Sequence, residues 1–248
     1  MRPAFVRGVK RDTGGNMAKT IKLPERLKTI ADFIEKGAAV ADIGTDHGLL
    51  PVYLALNGLA RSIIASDISM DSLDSARRLA GKYGVSSLIE FSLGSGLTGV
   101  DASMADTVVI AGLGGETIAG IISGAPWSRA RDIRLILQPQ SKSRELCEFL
   151  RETGFSLTGA RLAFDNGRLY VVMLVSGGAG VSELEPELEL LAMLMHCGDP
   201  LVGVYLDGLI AGARRRHEAL RDAGASGVLE AALRLSTYIS MKEVYESI

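Results

Sequence analysis

The chain has 248 residues with a formal net charge of −2; 47% of them are hydrophobic and only 5% aromatic. That suits one substantial folded domain with an appendage rather than a disordered chain. Its two cysteines, Cys147 and Cys197, support neither a disulfide framework nor a zinc site, no apolar run reaches the roughly 18–20 residues of a membrane span, and no apolar leader core opens the chain, so the expected compartment is the cytoplasm.

Charge is unevenly placed. Residues 1–28 hold eight Lys/Arg against Asp12 and Glu25, and residues 1–18 read as a disordered basic N-terminus. Leu23, Leu27, Ile30, Ala31 and Ile34 recur at helical spacing, which predicts a helix over Pro24–Lys36 with Pro24 in its first turn. Gly37 ends it and Ala38–Ile43 is the first strand. The stretch Val40–Pro51, VADIGTDHGLLP, turns through Gly44 and Gly48 into a helix over Leu49–Leu56. Ser62–Ser66 is the second strand, closed by Asp67, and Ser72–Tyr83 a helix closed by Gly84. Leu88–Leu93 is the third strand, Thr107–Ile110 the fourth, with a short helix Thr117–Ile122 behind it. Arg134–Leu137 is the fifth strand and Ser143–Glu152 a further helix. Phe155–Phe164 and Leu169–Val175 flank Asn166-Gly167, a strong hairpin signal.

Strands alternating with helices and then a hairpin imply an α/β fold with a mostly parallel sheet, whose ligands lie at the carboxyl ends of the strands. Those ends are Asp42–Gly48, Asp67, Gly94–Gly96, Ala111–Gly115 and Gln138–Gln140. Nearly every polar or glycine-rich signal of the first 140 residues thus falls on one edge of the sheet. Residues 19–176 read as this domain and Ser176–Gly180 as a linker. Residues 181–248 read as a C-terminal helical domain: Glu187–Met195, a helix opened by Asp199-Pro200 with the stripe Val202, Tyr205, Leu209, Ala213 and Leu220, and a last helix with Val228, Ala231, Leu235, Tyr238 and Ile239. Two helices joined by the Gly224–Gly227 turn should form an antiparallel hairpin.

The first turn is D-x-G-x-D-x-G, formed by Asp42, Gly44, Asp46 and Gly48. A dinucleotide fold wants a glycine where Asp46 stands. A carboxylate there opposes a pyrophosphate, which needs bare N–H groups, and suits a cofactor with a cationic end such as S-adenosylmethionine. Asp67 is positioned for ribose hydroxyls, as acids at the end of a second strand are.

The run Leu23…Arg26-Leu27…Ile30-Ala31, then ADIGTDHGLLP, IAGLGG, LILQPQ and NGRLY, resembles the bacterial tRNA (adenine(22)-N1)-methyltransferases from about Lys22 to Val175. The helical tail resembles that family's coiled-coil-like appendage. The resemblance implies a Rossmann-like class I methyltransferase domain using S-adenosyl-L-methionine, with tRNA as partner and no metal or membrane. The oligomeric state expected is a monomer or weak dimer. By the resemblance, Asp42, Gly44, Thr45, Asp46, His47 and Gly48 hold the methionine part of the cofactor. Asp67, with Ile68 beside it, holds the ribose, and Gly94–Leu97, Ser95 and Gly96 among them, lie by the adenine; Ala111–Gly115 occupy the place of the catalytic loop of other adenine methyltransferases, with Ala111 and Gly112 counted among the cofactor contacts. Asp46 and His47 are the candidate catalytic pair. Arg26, Leu113, Gly114, Gly115, Gln138, Pro139 and Tyr170 are the candidate base-binding set, with Tyr170 suited to stacking. RNA phosphates would meet Lys19, Lys22, Arg26 and Lys28 with Arg129, Arg131 and Arg134. Three positions depart from the family pattern: Ser95 and Gln140 stand where an acid and an asparagine are usual, and a glutamate usual before the hairpin is not evident around Gly159–Leu162. The residues also leave open a methyltransferase on another substrate, an NAD-dependent oxidoreductase, and a non-catalytic partner-binding protein.

Overall fold

The computed structural model describes residues 20–178 and 182–247; the expected basic N-terminus and Lys19 lie outside them. Helix α1 (Glu25–Phe33) is entered through Pro24 and ends where Ile34 turns extended, three residues before the expected Lys36. Its Ile30, Ala31 and Ile34 are buried against the sheet. Strand β1 (Ala38–Ile43) is buried at every residue, as a strand covered on both faces must be. Helix α2 (Leu49–Leu56), strand β2 (Ala60–Asp67), helix α3 (Met70–Tyr83) and strand β3 (Glu90–Leu93) follow, β3 starting two residues later than expected because Leu88 closes a 3₁₀ turn over Ser86–Leu88. Helix α3 is capped by Ser69, whose hydroxyl accepts from Ser72 N, and it ends at Gly84 with φ +76°.

Strands β4 (Thr107–Gly114) and β5 (Arg134–Ser141) both run further than the apolar residues suggest, with helix α4 (Gly115–Ser123) between them and α5 (Ser143–Glu152) after. They keep pairing beyond Ile110 and Leu137, Ala111 against Gln138 and Gly114 against Ser141, through two register irregularities. Ladder hydrogen bonds need only backbone, so the polar and glycine-rich ends that periodicity reads as loop stay in the sheet. Strands β6 (Phe155–Asp165) and β7 (Arg168–Gly177) form the hairpin, and Phe155↔Gly177 and Ser156↔Ser176 are ladder pairs. The expected linker therefore begins inside a strand. The sheet order is β3-β2-β1-β4-β5-β7-β6, parallel through β5 and antiparallel at β7 and β6.

Helices α6 (Pro186–His196), α7 (Val202–Asp222) and α8 (Val228–Glu246) complete the described chain. Asp199 lies just ahead of α7: its carboxylate accepts from Leu201 N and, across the molecule, from Leu162 N on β6. Leu190, Leu191, Leu194, Val202, Leu206 and Tyr238 belong to the same hydrophobic cluster as Ile110, Leu135 and Leu137. The base of the helical hairpin is thus continuous with the sheet's core. Tyr238 donates to Glu187 at 2.6 Å and Arg234 reaches the same carboxylate at 3.2 Å, tying α8 to α6. Among the described residues no helix is long and apolar enough to cross a membrane.

Candidate active site

Where β1 ends, the chain reverses through a tight turn. Gly44 N and Thr45 N both donate to Ser66 O, at 2.8 and 3.0 Å, anchoring the turn to β2. Gly44, Asp46 and Gly48 all take positive φ, +74°, +53° and +70°. Aspartate is one of the few residues that tolerates the left-handed region, through its short polar side chain. Gly48 is the N-cap of α2, and a Cβ there would come within 2.6 Å of Ala76 Cβ on α3. Only glycine lets α2 start so close to α3.

Asp67, at the end of β2, clamps this turn. Its Oδ2 accepts from Asp46 N at 3.0 Å and its Oδ1 from Ser69 N at 2.9 Å. The Asp46 side chain caps nothing; it is exposed, as is His47, and His47 Nε2 lies 3.6 Å from Asp46 Oδ1. Beneath them Asp42 is buried at 6% exposure and accepts a 2.7 Å hydrogen bond from Thr45 Oγ1. Burial pushes the Asp42 carboxyl up to about 6; the Thr45 hydrogen bond opposes this, the Asp67 charge adds to it and Arg26 opposes it. Near neutral pH Asp42 is therefore a buried anion close to its titration point.

The ends of β4 and β5 are built differently. Gln138 is wholly buried; its Oε1 accepts from Gly112 N at 3.2 Å and from Arg26 Nη1 at 3.0 Å, and its Nε2 donates to Pro139 O at 2.8 Å. One amide thereby fixes the left-handed bend at Gly112, whose φ is +78°, and brings α1 to the sheet edge. The Arg26 guanidinium carbon also lies 5.8 Å from the centre of the Tyr170 ring, within cation–π range. Gly115 is buried, and a Cβ there would overlap the Lys142 carbonyl; its lack of a side chain serves the packing of two loops.

These elements enclose a cavity of about 550 Å³, within the ordinary range for a small-molecule site. Of the residues singled out in the sequence, Arg26, Asp42, Gly44, Thr45, Asp46, His47, Asp67, Ile68, Ser95, Gly96, Ala111, Gly112 and Leu113 line it. Gly48, Gly114, Gly115, Gln138, Pro139 and Tyr170 do not; Gln138 and Tyr170 stand behind Arg26, and the glycines serve close packing. Pro24, Leu27, Thr117 and Ile121 line the wall without having been singled out, and Gln140, noted in the sequence as a departure from the family pattern, lines it too. The helical stripe of α1 reads as core, so nothing in its spacing shows that its first turn overhangs the sheet edge. The expected basic patch is partly neutralised, since Lys28 pairs with Asp32 and Arg134 with Glu35.

The lining carries three carboxylates, Asp42, Asp46 and Asp67, against one guanidinium, Arg26. That balance fits a cationic ligand such as S-adenosylmethionine and opposes a pyrophosphate. Gly44 is exposed at the cavity wall, with Leu113 Cδ1 at 3.9 Å the nearest side-chain atom to a Cβ placed on it, so its backbone is open to close approach.

Fold and site together define a class I S-adenosylmethionine-dependent methyltransferase, and residues 23–173 match the methyltransferase domain family. The chain is similar to the tRNA (adenine(22)-N(1))-methyltransferase of Bacillus subtilis (strain 168), 36% identical over 158 residues that span 64% of this chain and 66%, just under two thirds, of that enzyme. The crystal structure of the B. subtilis M1A22 tRNA methyltransferase TrmK aligns with a TM-score of 0.71 at 27% identity, covering 92% of this chain and 99% of that one. Streptococcus pneumoniae Sp1610, solved in complex with S-adenosyl-L-methionine, shares the fold at TM-score 0.73 and 23% identity over 89% and 100% of the two chains. The chain belongs to the methyltransferase domain family.

Proposed function

We propose that this protein methylates N1 of an adenine in tRNA, adenine 22 by its likeness to the B. subtilis enzyme, using S-adenosylmethionine. The observation that carries this reading is the acidic cavity at the carboxyl ends of β1 and β2, lined on its other side by Arg26 and Gly112. Asp67 would hold the ribose hydroxyls: its two hydrogen bonds from backbone N–H groups leave it lone pairs to spare. Asp42, with Thr45, places negative charge under the cationic end, and Gly44 lets that end approach the backbone. When bound, S-adenosylmethionine supplies an electrophilic methyl group, whose bond to the cationic sulfur breaks with its electron pair left on sulfur as the adenine N1 lone pair bonds to carbon.

N1 lies on the Watson–Crick edge, so the target base must be unpaired or turned out of its stack to enter the cavity. The protein's largest contribution is then to hold both partners in line. A methylated adenine is cationic until N6 loses a proton. Asp46, exposed at the turn, is the carboxylate to stabilise that developing charge, with His47 beside it to accept the proton. Lys22, Arg129 and Arg131 are exposed cations for the RNA backbone.

The test is to map N1-methyladenine in tRNA from cells with and without the protein, alongside thermal shifts with S-adenosylhomocysteine and NAD. Loss of one N1-methyladenine on deletion, with stabilisation by S-adenosylhomocysteine alone, supports the reading. An unchanged tRNA methylation map removes the tRNA substrate, and stabilisation by NAD alone removes the cofactor.

A further inference from the structure

The cavity's polar side chains divide into those already engaged and those free to read a substrate. Asp42 is bonded to Thr45, Asp67 to two backbone N–H groups, Arg26 to Gln138, and Asp46 faces His47. Apart from Asp46 and His47, which face each other at 3.6 Å, the polar lining side chains that make no hydrogen bond among the described residues are Ser95, Thr117 and Gln140. A hydroxyl donates and accepts through one atom and turns to suit either kind of partner, so it discriminates poorly between bases. A carboxamide differs: it holds a donor and an acceptor side by side in one plane. Among the described residues, Gln140 has the only such group on the cavity wall. It leaves the end of β5 exposed, and its Nε2 is 3.6 Å from where a Gly112 Cβ would stand, with Arg26 Nη1 at 3.7 Å from the same point. The missing side chain of Gly112 therefore leaves a gap flanked by Gln140 and Arg26. That gap lies on the β4–β5 side, away from the carboxylates at the ends of β1 and β2.

We propose that Gln140 is the specificity-determining residue that identifies the target base as adenine, by pairing its carboxamide with N6–H and N7. This rests on the adenine-N1 reading above and deepens it. A glutamine carboxamide matches adenine's N6 donor and N7 acceptor as a bidentate pair. Recognition at that edge leaves N1 unobstructed, which a methyl transfer to N1 requires. Guanine presents two acceptors, O6 and N7, and would set its O6 against the carboxamide oxygen. Arg26 cannot take this role, because a guanidinium only donates and offers adenine N6–H no acceptor.

The experiment uses the full-length protein and tRNA carrying either adenine or 7-deazaadenine at the methylated position; the deaza base lacks the N7 acceptor and keeps N1. In the wild type, 7-deazaadenine should lower kcat/KM about tenfold, and Gln140→Ala on adenine should lower it about 10–100-fold. The KM for S-adenosylmethionine and the thermal shift with S-adenosylhomocysteine should stay unchanged. In Gln140→Ala the 7-deaza substitution should cause no further loss, because the group that senses N7 is gone. Full activity of Gln140→Ala, or an equal 7-deaza penalty in both proteins, overturns the assignment and leaves the proposed function standing. A wild type that binds S-adenosylhomocysteine yet methylates no tRNA overturns both.

Discussion

The two sides of the cavity solve the problem of a polar site in opposite ways. On the β1–β2 side the chemistry is local. Asp42, Thr45, Asp46, His47 and Asp67 sit on two strand ends and one turn, held by backbone hydrogen bonds between neighbouring strands. On the β4–β5 side the wall is assembled from a distance: one buried amide, Gln138, joins Gly112, Arg26 and Pro139, and Gln140 faces the space they leave. A cofactor with a fixed structure is served by a rigid local motif. A base presented on a large RNA needs a wall drawn from several elements.

The largest expected effect tests whether the turn acts on chemistry as well as on binding. Asp46→Asn keeps a residue that tolerates φ +53° and keeps the backbone N–H to Asp67, so the fold should survive. Turnover should fall about 10²–10³-fold, the usual size for one group aimed at developing charge, while affinity for S-adenosylhomocysteine changes little. Loss confined to cofactor affinity would restrict the turn to binding.

Next is Asp42. Its carboxyl, ordinarily near 3.8, titrates at about 6 in the fold, so folding favours the protonated form. The stability this gives is full below pH 3.8 and is lost as pH rises through about 6, which puts the cost of the ionised group on the order of 3 kcal/mol at pH 8. Asp42→Asn should raise the Tm at pH 8 and leave it nearly unchanged at pH 4, measured by thermal melts at the two pH values. A cationic cofactor prefers the ionised form, so wild-type affinity should weaken by up to about tenfold per pH unit below 6, and the variant's should not vary with pH in that range. An equal Tm change at both pH values would detach Asp42 from this account.

The smallest effect belongs to the β4–β5 side. Gln138→Ala removes the acceptor of the Gly112 N–H and of Arg26, at about 1–3 kcal/mol of stability in a urea melt. It should also raise the KM for tRNA while leaving the KM for S-adenosylmethionine unchanged. A change in the cofactor KM instead would erase the division between the two sides.

Much of the first side could be read from residue order alone, because its parts are consecutive. The D-x-G-x-D-x-G spacing, an apolar strand before it and an acid at the next strand end determine a turn, its charge and the kind of cofactor it suits. Alternating strand and helix patterns and the Asn166-Gly167 turn likewise determined an α/β sheet closed by a hairpin. Tertiary structure alone decided the rest. The extension of β4 and β5 through Gly114 and Ser141 depends on backbone pairing that side-chain patterns do not encode. The continuity of α6 and the base of the helical hairpin with the sheet's core depends on contacts between residues far apart in sequence. Gln138 looked like a base-binding residue and proved to be a buried brace, whereas Gln140, two positions on, is the one exposed to the cavity. A strand sends alternate side chains to opposite faces, but at the end of β5 it is the approach of α1 and Gly112 that makes one amide structural and leaves the other free.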